Sequence, residues 1–493
     1  METLLQQLTR GKALVLIIIV GMGGSFQAGY HIAGLSPLSP FIQRFINNSW
    51  YERYEEPPHP QMVTMIWAII VSIYAFGGVC GAGTVRLLSD MLGIKKALIC
   101  NSIISIASGG IMLTSKVAKS YEMVIVSRML SGYSAGLGLS IQTMYLGEIS
   151  PKKIRGVVTI TTTIFTSLGK LSGQFFGLSE TLGCEELWNI SLCVPVFFSM
   201  MQAIVLPFLP DAPRYLFIEK GDEKACRKAL QSLWGQGDYK KEMDEMLAEQ
   251  AAAEGAPPKS LLQLVKDRTV QWQLITMSLI YFCNSMSGMP AIGIFSYDIF
   301  LKAGIPQDKI CYIILGLGLA ETCCLIFSGF QIDHKGRRPL FIGGYGALAV
   351  ICVLITVTLN LKDSTFWVPY MSSGLVILFI ICFSGGPAGG TATLYSEIFI
   401  QSNRLAAFVL LGMQRWLFFA IVGLIFPFIM NTFNEYSFVM CSCMCLLGCL
   451  YTFFLLPETK GRTMLEISRD FNAITICRKS FGEKTCNEMQ TKL

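Results

Sequence analysis

The chain has 493 residues, of which 52% are hydrophobic and only 15% charged, with 46 Gly, 32 Phe and 3 His. Soluble domains carry about 25% charged residues, so a soluble multi-domain enzyme, a disordered chain and a fibrous repeat are excluded. The formal charge of +6 lies mostly in short loops between apolar runs, which points to membrane topology rather than to nucleic acid.

A membrane helix needs about 20 apolar residues. Twelve runs qualify, at 13–35, 63–85, 97–115, 122–142, 157–179, 187–209, 271–293, 310–332, 339–360, 367–391, 405–428 and 434–456, numbered here as spans 1 to 12. Span 1 has no small-residue cleavage site after it and is flanked by Arg10 and Lys12, so it reads as a retained span. Residues 34–62 read as a long loop. Loops after even spans carry Arg86, Lys95 and Lys96, then Lys152, Lys153 and Arg155, then Lys335, Arg337 and Arg338, then Arg404. Loops after odd spans are poorer in basic residues, which places both termini in the cytosol and the 34–62 loop outside. That loop holds Asn47-Asn48-Ser49, a glycosylation pattern in the right compartment, whereas Asn189-Ile190-Ser191 sits too close to the bilayer. The mixed-polarity stretch 210–270 predicts short amphipathic helices on the cytosolic face. It divides the chain into a six-span bundle at 1–209 and another at 271–465, followed by a polar cytosolic tail at 466–493. The 17 Cys follow no metal spacing and most lie inside apolar runs, as do Cys441, Cys443, Cys445 and Cys449, so no metal or cofactor is expected.

The two halves echo each other. Asp90-Met-Leu-Gly93 follows span 2, and Asp333-His-Lys-Gly336-Arg337-Arg338 follows span 8, 243 residues on. Glu148 stands seven residues before Arg155, and Glu397 seven before Arg404, an offset of 249. Pro210-Asp211 ends span 6 and Pro457-Glu458 ends span 12, an offset of 247. Three motifs in one order at nearly one offset predict two bundles related by an axis along the membrane normal. The acid–base groups at the cytosolic ends either latch the halves in one state or serve as charge at helix ends.

At these residues, together with Arg128 and Gly132, the sequence resembles the sugar-porter branch of the major facilitator superfamily. Within that branch it looks like an animal facilitative hexose transporter of solute carrier family 2, in the second, fructose-transporting class. The resemblance implies an all-α fold of 12 transmembrane helices in two pseudo-twofold six-helix bundles. It also implies alternating access around one central site, with no ATP, and no phosphate-binding Gly-rich loop is found. The cytosolic latch it implies comprises Asp90, Arg128, Glu148, Arg155, Asp333, Arg337, Arg338, Glu397, Arg404 and Glu458.

The resemblance also places the ligand positions. Gln27 in span 1 and Gln174 in span 5 match the family. Elsewhere the pattern departs: Thr163, beside Thr166, stands where the family has a Gln. Span 7 reads Asn284-Ser285 where the family has a Gln pair. Glu321 replaces an Asn in span 8, Ala392 replaces a Trp in span 10, and Arg415 replaces an Asn before the retained Trp416. Neutral sugars are held by amides and aromatic faces, so these changes trade neutral ligands for charge.

Lys170, Glu321 and Arg415 sit near mid-span, where a charge needs a partner or a wet cavity. Glu321 pairs with Lys170 or Arg415, or the three touch substrate. Span 10 carries Gly385-Gly386-Pro387-Ala388-Gly389-Gly390 and span 7 carries Gly288 and Pro290, so both should bend and act as gates. Tyr297 stands near the outer side of span 7 as a gate. Gly29-Tyr30 is followed by His31, and span 1 has no carboxylate, which favours a uniporter over a proton-driven one; His31 reads as a hydrogen-bonded interior group.

The expected function is facilitative transport of a hexose such as fructose or glucose at the cell membrane. One rival is transport of a small organic anion such as urate, motivated by Lys170 and Arg415; another is a non-transporting sugar sensor. No paired carboxylates or nucleophile–His arrangement suggest an enzyme.

Overall fold

The computed structural model describes residues 11–150, 155–237, 239–254, 260–267, 270–399, 401–459, 466, 467, 469 and 471. The fold is all-α, and no strand occurs among the described residues. The tail expected at 466–493 lies almost wholly outside them.

All twelve spans are helical. Span 1 is Ala13–Gly23 followed by Ser25–Ala33, broken at Gly24. Spans 2 to 5 are Pro60–Leu92, Ile94–Val117, Tyr121–Ile149 and Arg155–Phe176, and span 6 begins at Trp188 and continues through Val194–Val205. Span 7 is Gln271–Met286 and Met289–Lys302, and spans 8 and 9 are Gln307–Lys335 and Arg337–Asn360. Span 10 is Val368–Phe383 and Gly389–Ile398 joined by a π-type turn, and spans 11 and 12 are Gln401–Phe433 and Ser437–Leu455. Among the described residues, eight stretches are long and apolar enough to cross a membrane, the last of them, 406–455, holding spans 11 and 12 together. Three spans fall outside that set: span 5 is rich in Thr and Ser, span 7 is split at Gly288, and span 8 carries Glu321.

The repeat seen in the sequence is a repeat of structure. Gly93, between spans 2 and 3, has φ +78°, and Gly336, between spans 8 and 9, has φ +86°. Both turns need the left-handed region, which an L-residue enters only with strain. The acids that end each half then reach the start of the third helix of the same half. Lys95 pairs with Asp211 at 3.4 Å and donates to the Leu209 carbonyl at 2.6 Å. Glu458 accepts the backbone N–H groups of Arg337 and Arg338 at 3.0 and 3.1 Å, capping span 9 with a carboxylate where the helix dipole favours one.

The stretch 34–62 is not a loop. A 3₁₀ turn, Ser36–Leu38, leads into the helix Ser39–Tyr54, which stops at Glu55 with φ +57°. Two Ser-Pro pairs start these turns, because Pro is at home in the first turn of a helix. Salt bridges fix this helix to its neighbours: Arg44–Glu185 at 2.6 Å, Lys119–Glu52 at 2.8 Å, and Arg53–Glu122. Asn47 is exposed on it, while Ser49 is buried. This end of the molecule is called the far end below. The opposite, terminal end carries Ala13 and the helices Glu223–Trp234, Lys240–Glu254 and Leu261–Lys266. The first of these is amphipathic. Cys226, Ala229, Leu230 and Leu233 are buried, and Trp234 donates to the Ile149 carbonyl at 2.9 Å.

Candidate functional site

The site is built from span 5 outward. A helix turns by about 100° per residue, so Thr163, Thr166, Lys170 and Gln174 fall on one face. Gly169 lies on a second face, against the Phe26 carbonyl of span 1. Ile164, Leu168 and Phe175 are exposed on a third, toward lipid. The polar stripe therefore faces the second bundle. Near its far end, Lys170 meets Glu321 of span 8 at 2.6 Å. One turn on, the Gln174 amide lies against Gly318, where any Cβ would collide with it. The seam ends where Tyr312 donates to Glu180. Toward the terminal end the stripe is uncovered: Thr166 is half-buried, its hydroxyl donating to the Thr162 carbonyl at 2.8 Å, and Thr163 is exposed. These hydroxyls point away from the lipid-facing residues of their own helix and stay open to solvent between the bundles.

Glu321 is 9% exposed and takes Lys170 on Oε1. Its Oε2 has no partner among the described residues, and the side chain keeps 12% of its surface. Of the two partners open to Glu321 in the sequence, the structure selects Lys170. Arg415 stays apart, exposed and without a carboxylate partner among the described residues. It is nine residues from Leu424, hence on the opposite face of span 11, and Leu417, Leu424 and Phe428 are exposed toward lipid. Arg415 therefore points inward. Trp416 packs edge-on to Tyr74 of span 2, with ring centroids 5.8 Å apart, over Gly78.

Other expected ligands turn inward within one bundle. Gln27 accepts from Ser105 at 2.8 Å and donates to Ser199, so its amide is spent on spans 3 and 6. Asn284 donates to Thr391 at 2.9 Å and accepts from Tyr345 at 2.7 Å, joining spans 7, 10 and 9. Ser285 is buried on the same turn. Both amides are placed as ties within a bundle. The side chain of Ala392 lies outside the described set.

Both expected breaks are present. Gly288 has φ +102° and separates the two arms of span 7. In span 10 the turn Ser384–Ala388 holds Pro387, which packs on Gly344 of span 9, and Gly389 starts the second arm. A third break, at Gly24 in span 1, escaped the sequence. The Ser25 N–H that it frees donates to Gln142 of span 4 at 2.7 Å, a partner 117 residues away that no local pattern reveals.

The far end is closed. Ser36 contacts Ser296 at 2.7 Å and accepts the Tyr297 N–H at 3.1 Å, while Ser39 reaches Asp298 at 3.4 Å. The Tyr297 contact is made by its backbone N–H. The serines were missed, although Ser36-Pro37 and Ser39-Pro40 in a polar stretch were a signal.

The cytosolic set divides. Asp90 pairs with Arg86 of its own helix at 3.7 Å. Glu458, Arg337 and Arg338 meet within the second bundle, and Arg338 also donates to the Phe453 carbonyl at 2.5 Å. Glu148 is half-buried at the terminal end of span 4. The side chains of Arg155, Asp333, Glu397 and Arg404 lie outside the described set. Arg128 does not belong with them: it lies 20 residues before Glu148 on one helix, about 30 Å away. It is buried near the far end, over the Tyr74 ring at 4.3 Å, and reaches the His31 carbonyl at 3.4 Å. His31 is buried with Nδ1 unpartnered, in place of the hydrogen bond expected for it.

The chain matches the Sugar (and other) transporter family over residues 16–471. It is 41% identical over 460 residues to solute carrier family 2, facilitated glucose transporter member 9, of Mus musculus, covering 93% of this chain and 86% of that protein. Member 11 of Homo sapiens is 37% identical over 97% of both chains. The inward-open xylose transporter XylE from E. coli superposes with a TM-score of 0.75 at 17% identity, covering 93% of this chain and 99% of that one. That likeness concerns the fold, twelve helices in two pseudo-twofold bundles. The chain is therefore a multi-pass membrane transporter, not an enzyme, and belongs to the sugar transporter family, within the facilitated transporters of solute carrier family 2.

Proposed function

We propose that the protein carries a hexose such as fructose or glucose across the cell membrane by facilitative uniport, with both termini in the cytosol. The observation that carries this reading is the stripe Thr163, Thr166, Lys170 and Gln174 of span 5. It runs from a sealed far end to an uncovered terminal end, where hydroxyls can meet hydroxyls. Glu321, Arg415 and Trp416 complete the walls from the other bundle, with Ser285 of span 7 and Ala392 of span 10 kept as further positions for the sugar. The broken helices at Gly288, Pro387 and Gly389, with Tyr297 at the closure, supply the moving parts. Lys and Arg in the loops after even spans support cytosolic termini. Span 1 holds no carboxylate to carry a proton, which supports uniport.

Labelled hexose uptake into proteoliposomes tests this. Entry should saturate, speed up when unlabelled hexose is loaded inside, and not exceed equilibrium under an imposed pH gradient. Uptake no faster than in empty vesicles, for fructose and glucose alike, overturns it.

A further inference from the structure

We propose that Lys170 is a specificity-determining residue that screens the Glu321 carboxylate, so that the cavity wall carries net positive charge and refuses cationic sugars. The inference rests on the hexose reading above. Three charged groups near mid-span define the wall: Lys170, Glu321 and Arg415. Two of them cancel, since Lys170 and Glu321 meet at 2.6 Å between spans 5 and 8. Arg415, on the inward face of span 11, has no carboxylate partner among the described residues. The pair is not sealed away: its side chains keep 23% and 12% of their surface, and Glu321 Oε2 has no other partner among the described residues. A passing sugar therefore meets a carboxylate oxygen whose charge is already answered, and beyond it a guanidinium that no carboxylate answers among the described residues. A neutral hexose can donate a hydroxyl to Oε2, a charge-assisted bond. A protonated amino hexose gains nothing more from the masked carboxylate and is repelled by Arg415.

Charge arithmetic makes this testable through a ratio of two substrates in one protein sample, which cancels differences in folding and expression. The ratio is uptake of a protonated amino hexose over uptake of the matching neutral hexose. Lys170→Met removes one positive charge and unmasks Glu321, so the ratio should rise about tenfold, the effect of one unit charge at roughly 10 Å in an effective permittivity of about 20. Glu321→Gln adds net positive charge, and the ratio should fall. The double variant Lys170→Met/Glu321→Gln restores the original net charge, so the ratio should return to that of the parent, and Lys170→Arg should leave it unchanged. If the pair is only a structural tie, all these variants lose both substrates in parallel and the ratio stays flat, which overturns the proposal.

The unmodified protein supplies a second arm. The amino hexose should inhibit hexose uptake more strongly as pH rises and its amine loses its proton, while the N-acetylated sugar shows no such trend. Inhibition independent of pH also overturns the proposal. Absence of any hexose uptake refutes the reading on which it rests, a separate outcome.

Discussion

Two of the seams between the bundles are built from opposite materials. Between spans 2 and 11 the contacts are apolar and smooth: Trp416 lies on Gly78 and Tyr74, Met413 on Gly83, and Val71 on Gly423. Between spans 5 and 8 they are polar: Lys170 with Glu321, the Gln174 amide at Gly318, and Tyr312 with Glu180. Dispersion contacts are individually weak and non-directional, so one smooth surface can roll on the other at little cost. A salt bridge or hydrogen bond is either made or broken. The first seam therefore suits a bearing and the second a register that fixes which way the bearing stands.

The comparison breaks most severely if the smooth seam is roughened. Gly78→Leu places a side chain whose Cβ alone would lie 2.5 Å from the Trp416 indole. It should destabilise the protein by about 3 kcal/mol, read as a lower thermal midpoint, with transport lost. On the polar seam, Glu321→Leu strands the Lys170 ammonium and should cost about 2 kcal/mol, less than a fully buried pair because both groups keep some solvent. Adding Lys170→Met should recover most of that loss in the same melting experiment, since an apolar pair replaces the ionic one. Equal destabilisation of single and double variants would mean that the pair contributes no coupling.

A contrast within one bundle is smaller. Glu458→Gln keeps the shape but loses the charged acceptor for the Arg337 and Arg338 N–H groups, and should cost about 1 kcal/mol. The smallest effect concerns Glu180, whose carboxyl the Tyr312 hydroxyl holds below the ordinary range. Its stabilising contribution is complete above that range and disappears as pH falls through the lowered value. Labelling of a cysteine placed at Ser36 from the far side, measured relative to a free thiol at each pH, should increase as the medium is acidified. Tyr312→Phe should remove that pH dependence.

How much of this was legible in sequence follows from the range of the signals. The twelve spans and the duplication are written in apolar runs and fixed offsets, and both return as helices and as matched turns at Gly93 and Gly336. The Lys170–Glu321 pair was among the options because mid-span charges demand partners. What the sequence did not show involved distant partners. The amides of Gln27 and Asn284, read as ligand positions, also tie spans within a bundle. The break at Gly24 depends on Gln142, and the polar segment 39–54 folds because its three charged residues, Arg44, Glu52 and Arg53, find counterparts on other elements. Arg128 was grouped with the cytosolic charges by motif, although helix direction puts it at the other end.

The carboxylates of Asp211 and Glu458 carry one consequence for how the molecule is made. Each closes on the entrance to a helix emitted more than a hundred residues earlier. During synthesis, the Lys95 ammonium of the first half and the Arg337 and Arg338 N–H groups of the second must wait for these partners until the sixth helix emerges from the ribosome. Each half is thus completed by its own last residues, and the first can be finished and inspected by the cell before the second has begun.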